Sequence, residues 1–372
     1  MARQRRHSTA GGVRVLVIGA GFAGLSALGT LSGSGARVTL VDQNSYSTFQ
    51  PLLYQVATAG LNASDVAFPL WAAARKAGAR FRRGELSAID LPAHAVMLTD
   101  GTKLSYDYLI LATGVAANYF GVPGAAEHTL SLYIRRDAVA LRNRLVEELE
   151  RRAADSGQEL SIIVVGGGAT GVELAGTLAE LRTIALPAAF PGIDPATVHV
   201  RLIEQAPNLI APFQAGLRDY ALRQLRIRGV DVRLGTAISK VAADNVALAD
   251  GASLHSDITV WTAGVAAPDA PAWPGFERGH GGRILTGPDL RIRGQERVFV
   301  AGDLGLIEND AIAQLAQPAI QQGRHAARQV LRLAAGQATE PFSYHDKGIM
   351  ATIGHRSAVV QLPRLVRLRG NI

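Results

Sequence analysis

One glycine spacing occurs twice in this chain, and it narrows the fold more than any other feature. The first copy lies in "VRVLVIGAGFAGLSALGTLSGSGARVTLVDQ", residues 13–43, where Gly19, Gly21 and Gly24 make G-x-G-x-x-G. The stretch reads as strand, tight turn, helix, strand. Gly19 permits the turn, Gly21 lets the backbone approach a pyrophosphate, and Gly24 lets helix and strand pack closely. The helix N-terminus favours the phosphate charge. Asp42 closes the second strand, where a carboxylate accepts hydrogen bonds from ribose hydroxyls. The second copy is "LSIIVVGGGATGVELAGTLAEL" with Gly166, Gly168 and Gly171, followed by "VHVRLIEQ", whose strand ends in Glu204. The longer gap to that acid comes from "RTIALPAAFPGIDPAT", which extends the crossover. An ordinary α/β turn is a fair explanation of one such glycine run. Two in full context predict two bound dinucleotides. A carboxylate at Glu204 repels a 2′-phosphate, and Gln205 and Ala206 supply no arginine, so the second site is expected to prefer NADH over NADPH.

Between the copies, "FRRGELSAIDLPAHAVMLTDGTKLSYDYLILATG" reads as a small meander returning to a sheet strand that ends at Ala112, Thr113 and Gly114. "DITVWTAG", residues 257–264, ends the second domain in the same style at Gly264, and "RVFVAGDLG" is a short buried strand ending in Gly302 and Asp303. The expected fold class is therefore α/β with two Rossmann-like dinucleotide-binding domains, the second inserted in the first. Residues 1–117 and 269–340 are assigned to the first domain, 118–268 to the second and 341–372 to a C-terminal segment. The run "IRRDAVALRNRLVEELERRAADSG" is a solvated helix face over an apolar stripe.

The 372 residues include 48% hydrophobic side chains and no cysteine, which excludes disulfide frameworks, thiolate metal sites, iron–sulfur clusters and a redox-active Cys-x-x-Cys. Nine histidines show no H-x-x-x-H spacing, so no metal is expected. The formal charge of +7 suits an anionic membrane surface or nucleic acid, but no nucleic-acid-binding signature accompanies it. The basic start "MARQRRHSTAGG" leads into fingerprint glycines rather than a cleavage site, and no run has the length of a membrane span.

The paired units, the "ATG" strand end and "AGD" resemble the two-dinucleotide flavoprotein reductases. "FQPLLYQVATAG" (49–60), "WTAGV", "AQPAIQQG" and "PFSYHDKGIMATIG" narrow the resemblance to the type II NADH dehydrogenases, single-subunit NADH:quinone oxidoreductases, over residues 13–370. The resemblance implies FAD at Gly19, Gly21, Gly24, Asp42, Ala112, Gly114 and Asp303, with Asp303 on the ribityl chain. It implies NADH at Gly166, Gly168, Gly171, Glu204 and Gly264. Disulfide and sulfide:quinone reductases of the superfamily need cysteines. Electrons here would leave the flavin directly for an acceptor, and quinone fits the family. The alternatives are an FAD-dependent NADH reductase with another acceptor and a non-catalytic NADH-sensing flavoprotein.

Four further residues are expected to be catalytic. Pro318 is placed at the start of a helix with Gln317 as its cap and Gln314 in the turn before it. Gln317 and Gln321 can then hydrogen-bond quinone carbonyls without bringing a charge into an apolar tunnel; a cap and a backbone-bonding glutamine are an equally good account of them. Glu173 is read either as an acid complementing the dipole in the first turn of its helix or as a group tuning hydride transfer and relaying protons. Lys347 is either a surface lysine or, by resemblance, close to flavin and quinone. Phe49, Pro51 and Tyr54 are core or, by resemblance, walls of the flavin ring. The chain ends at "AVVQLPRLVRLRGNI", where family members continue with an apolar amphipathic segment. The last residues are accordingly read as a truncated membrane-anchoring region, five Lys/Arg and no acid from Lys347 to Ile372. The expected location is peripheral, on the cytoplasmic face of the cell membrane, or else soluble in the cytoplasm. A homodimer is left open.

Overall fold

The computed structural model describes residues 12–155, 157–268, 275–310, 312–363 and 366–371. The basic N-terminal run and Arg364 of the C-terminal run lie outside them. Two compact units divide the chain.

The first unit comprises residues 1–47, 67–116 and 265–346. Its five-stranded sheet is parallel throughout. Arg14–Ile18 lies in the centre, Arg37–Asp42 and then Arg80–Arg83 lie on one side, and Tyr108–Leu111 and then Val298–Val300 on the other. A parallel sheet covered on both faces needs apolar side chains on both, and Val15–Ile18 are all buried. The meander expected before Tyr108 is an antiparallel three-stranded sheet of Leu86–Asp90, Ala95–Leu98 and Lys103–Ser105. Helix Phe22–Leu31 follows the first strand and packs on helix Ala316–Ala334. Val15, Val17, Leu28, Leu40, Phe299, Ala326 and Val330 belong to the core they share with the sheet.

The second unit comprises residues 48–66, 117–264 and 347–372. Its five-stranded parallel sheet has the same order: Leu160–Val165 in the centre, Val198–Ile203 and Asp231–Arg233 on one side, Ile258–Trp261 and Leu130–Ser131 on the other. A second meander, Ile238–Val241, Asn245–Leu248 and Ser253–His255, again precedes the returning strand. Helix Ala169–Glu180 continues through a π-type turn, Leu181–Ala185, to Ala189. That extra length explains the long gap before Glu204.

Residues 48–66 are expected in the first domain and 341–372 as a separate segment; 48–66 and 347–372 fall in the second unit and 341–346 in the first. Leu53, Val56, Ile353 and Val359 enter one core with Leu141, Leu145, Val172 and Leu178. The C-terminal residues form an antiparallel sheet of Ile349–Thr352, Ala358–Gln361 and Arg367–Gly370. Short apolar segments carry no sign of which sheet will bury them.

Helix Ala316–Ala334 begins two residues before the expected start. Leu315 caps it and Pro318 is the third helical residue. The N–H groups of the first turn have no intrahelical acceptor, so proline fits there as well as at the first position. The two helices pack tightly at Gly323, where a methyl group would sit 2.7 Å from the Ala23 carbonyl carbon. Gly323→Ala gains about 1 kcal/mol of helix propensity, yet the obstructing atoms are backbone and cannot rotate away. The expected net result is a loss of about 1–3 kcal/mol, measured by urea unfolding. An unchanged midpoint would show that the helices separate without cost.

Candidate active site

In each unit the fingerprint turn is built the same way. Gly19 and Gly166 have φ of +97° and +107°, a conformation that costs other residues energy. Their N–H groups donate to Val41 O and Ile203 O, both at 2.8 Å. A side chain on Gly19 would strike the peptide joining Ala112 and Thr113, and one on Gly166 would strike the peptide joining Thr262 and Ala263. The "ATG" and "TAG" strand ends are therefore the surfaces on which the turns rest. Gly24 and Gly171 press against the carbonyls of Gly19 and Gly166, while open space lies where Gly21 and Gly168 would carry a Cβ. Gly21 and Gly168 are the helix N-caps and supply no side-chain cap, and neither first turn holds an acid. Two uncapped helix ends facing open space fit the pyrophosphates of two dinucleotides.

The acids at the ends of the second strands are fixed by backbone donors. Asp42 accepts from Ala20 N at 2.7 Å and from Asn44 N at 2.8 Å, yet burial still raises its pKa. Glu204 accepts from Ala206 N at 2.6 Å and from Gly167 N. Each carboxylate thus bonds the middle residue of its own G-x-G and remains an acceptor. Gly264 closes the second strand end against the Phe120 ring.

Asp303 follows Gly302 in the first unit. Burial pushes its carboxyl up to about 6, against the opposing pull of Arg283. Its carbonyl accepts from Arg283 Nε at 3.1 Å and Gln314 Nε2 at 3.2 Å. Gln322, which the sequence reading did not single out, is buried and accepts from Gly302 N at 2.7 Å. Gln321 donates to His345 O at 2.9 Å and accepts from His345 N at 3.0 Å. The structure gives Gln321 the backbone-bonding role that was the alternative to quinone contact. Gln317 differs: its Oε1 is buried and has no partner. A buried acceptor without a donor is costly, and a bound molecule with an N–H or O–H would satisfy it.

In the second unit, Glu173 is the fifth residue of its helix, beyond the first turn, so the dipole explanation fails. Burial pushes its carboxyl up to about 8, while the Thr352 N–H, 3.3 Å from Oε1, pulls the other way. Thr352 Oγ1 lies 3.0 Å from the Tyr54 hydroxyl, which also accepts from Gln55 Nε2 at 3.1 Å. Three motifs distant in sequence thereby meet around one carboxyl. Tyr54 is buried and belongs to this cluster, whereas Phe49 and Pro51 are exposed. Lys347 is exposed, just before strand Ile349–Thr352. The expected site residues divide by unit: Gly19, Gly21, Gly24, Asp42, Ala112, Gly114, Asp303, Gln317 and Gln321 fall in the first, and Gly166, Gly168, Gly171, Glu173, Glu204, Gly264 and Lys347 in the second.

Residues 13–323 match the pyridine nucleotide-disulphide oxidoreductases. The type II NADH:quinone oxidoreductase Ndh of Mycobacterium tuberculosis is 34% identical, over 96% of this chain and 80% of that protein. Type II NADH:quinone oxidoreductase from Staphylococcus aureus is 32% identical over 93% and 89%. This chain belongs to the type II NADH:quinone oxidoreductases. Its fold is also that of NDH2 from Plasmodium falciparum, solved in complex with NADH, at a TM-score of 0.86 and 17% identity over 96% of this chain and 91% of that one. The sulfide:quinone oxidoreductase of Aquifex aeolicus shares the fold at a TM-score of 0.80 and 18% identity, over 96% and 87%.

The raised pKa of Glu173 has a thermodynamic consequence. Folding favours the protonated acid, so this contribution to stability is full below the ordinary glutamate range and is lost as pH rises through about 8. Glu173→Gln removes the titration. The variant should gain stability relative to the parent between about pH 5 and pH 9, followed by thermal melts. A difference that does not change with pH would mean that the carboxyl is well solvated.

Proposed function

We propose that this chain oxidises NADH and reduces a quinone, with FAD held in the first unit and NADH in the second. The observation that carries this reading is the duplicated, uncapped glycine turn, each copy with an acid at the end of its second strand, in a member of this family. When bound, FAD supplies the redox chemistry, accepting a hydride from NADH and giving two electrons to a quinone.

The chain's own residues bind, orient and move protons. The helix ends at Gly21 and Gly168 hold pyrophosphate, Asp42 and Glu204 hold ribose hydroxyls, and Asp303 presents a carboxyl to the ribityl chain. Gln317 offers its unpartnered oxygen to a flavin imide N–H or a quinol O–H, and its amide N–H to a quinone carbonyl. Glu173 is protonated at neutral pH and can give up a proton when a quinone takes up two. Tyr54 and Thr352 hold the backbone donor against it. Lys347 lies just before the strand that carries Thr352.

Rapid mixing tests the reading in two stages: NADH should bleach the flavin band, and a quinone should restore it. No bleaching would leave a non-catalytic sensor, and no quinone-dependent recovery would leave a reductase with another acceptor. Glu204→Arg should weaken bleaching by NADH and strengthen bleaching by NADPH, because a cation replaces an acceptor at the ribose. Rates unchanged from the parent's with both nucleotides would place Glu204 away from the ribose.

Attachment to an anionic membrane surface is part of the same reading. Lys347, Arg356, Arg367 and Arg369 accompany the C-terminal sheet, where Met350, Val366 and Leu368 are exposed. Among the described residues no helix is long and apolar enough to cross a membrane. Each basic residue near an anionic leaflet contributes about 1 kcal/mol at most, screened by salt. The protein should sediment with anionic liposomes at low salt and be released at high salt. Equal binding to neutral liposomes would overturn the electrostatic account.

A further inference from the structure

The helix that carries the second fingerprint also carries Glu173, Gly176 and Glu180, at i, i+3 and i+7 and so on one face. A stretch of backbone from the other end of the sequence lies along that face. Thr352 N donates to Glu173 Oε1 at 3.3 Å, and His355 N donates to Glu180 Oε2 at 2.5 Å. Between them, a methyl group on Gly176 would lie 2.8 Å from Gly354 N and 3.0 Å from the Ile353 carbonyl carbon. Gly354, with φ of +76°, turns the chain over the Glu180 carboxylate, where a side chain would collide with it.

The far end of this contact is anchored twice. Arg228 Nε is 3.2 Å from Glu180 Oε1, Arg228 Nη2 donates to Ser357 Oγ at 3.0 Å, and Nη1 donates to Gln224 Oε1 at 2.7 Å. Ser357 Oγ in turn lies 3.3 Å from Gln224 Oε1. Both members of the ion pair are largely shielded, with side chains 16% and 18% exposed, so the pair is not one of the solvent-screened surface contacts that contribute little. At the proximal end the Glu173 carboxyl accepts one long hydrogen bond, from a Thr352 that the Tyr54 hydroxyl and strand Ala358–Gln361 also hold.

We propose that Glu180 and Arg228 are positioning residues for Glu173: by anchoring residues 354–357 they set the register of the whole segment, and so keep the Thr352 N–H and its covering backbone on the Glu173 carboxyl. The proposal rests on the reading of Glu173 as the proton-bearing group. The elements packed against this helix bring few other charges toward it. Tyr54 reaches it through Thr352, Arg201 is paired with Asp231, His199 lies beside Glu159, Arg182 donates to the carbonyls of Val198, Arg228 and Gly229, Arg218 is half-buried with its Nε shielded, and Asp219, Arg223 and Arg226 are exposed. Burial outweighs the Thr352 hydrogen bond at Glu173, so lifting the segment should hydrate the acid more than it deprives it of a donor. The carboxyl should then titrate lower.

The test is an infrared titration of the protonated carboxyl band in the flavin-loaded protein, the Glu173 band being the one lost in Glu173→Gln. In Glu180→Ala the midpoint should fall by about one pH unit or more, with faster amide exchange at residues 352–357. Glu180→Gln keeps an acceptor for His355 but loses the charge facing Arg228, so a smaller fall in the same direction is expected; this variant carries the test if the alanine variant does not fold. A midpoint equal to the parent's in the folded variant overturns the proposal, whether or not amide exchange changes. The titration needs no turnover. Failure of NADH to bleach the flavin therefore overturns the proposed function without mimicking either result.

Discussion

The peptide beneath each fingerprint glycine is the constraint on which both units are built. Gly19 rests on the Ala112–Thr113 peptide and Gly166 on the Thr262–Ala263 peptide, at spacings that exclude a Cβ. Each glycine N–H also closes the second strand of its sheet, at Val41 or Ile203. One residue therefore joins three strands at their C-terminal ends. Helix direction follows from that junction, and with it the position of the uncapped N–H groups. The acid at the end of the second strand is held by a backbone N–H of the same turn. Anion site, ribose acceptor and strand register are thus consequences of one close contact, made twice.

The glutamines in and just before the last helix of the first unit show how an interior uses polar groups without charge. Gln322 and Gln329 accept from the backbone N–H groups of Gly302 and Glu340, Gln321 clamps both backbone groups of His345, and Gln314 supports the Asp303 carbonyl. An ionised side chain in these places would bear a desolvation cost that an amide avoids. Against this background Gln317 stands apart, because its oxygen is buried with nothing to accept from. The second unit uses burial differently: Glu173 is kept protonated near neutral pH by the same desolvation that the amides escape.

Much of this was legible in the sequence. The two G-x-G-x-x-G runs, the acids Asp42 and Glu204, and the strand ends at "ATG" and "TAG" identify themselves, because the demands of a tight turn and a close helix are local and admit few residue types. The meander before Tyr108 is legible for a similar reason, since alternation and Gly/Asp turns specify hairpins within a few residues. The start of helix Ala316–Ala334 was displaced by two residues because proline is equally at home anywhere in a first helical turn.

Tertiary structure decided what local chemistry leaves undetermined. Nothing in "LLYQVA" or "MATIG" states that both will pack against the helix of the second fingerprint, because an apolar segment is satisfied by any apolar partner. Only the fold brings Tyr54, Thr352 and Glu173 together, and only burial there lifts an ordinary glutamate to about 8. The same holds for Gln321: its sequence position suits either a ligand or a backbone partner, and the path of the chain at His345 supplies the partner. The sequence determined where dinucleotide turns must form, because that requirement is met within a few bonds. Which side chains become reactive was decided by solvent exclusion, a property of the packed chain as a whole.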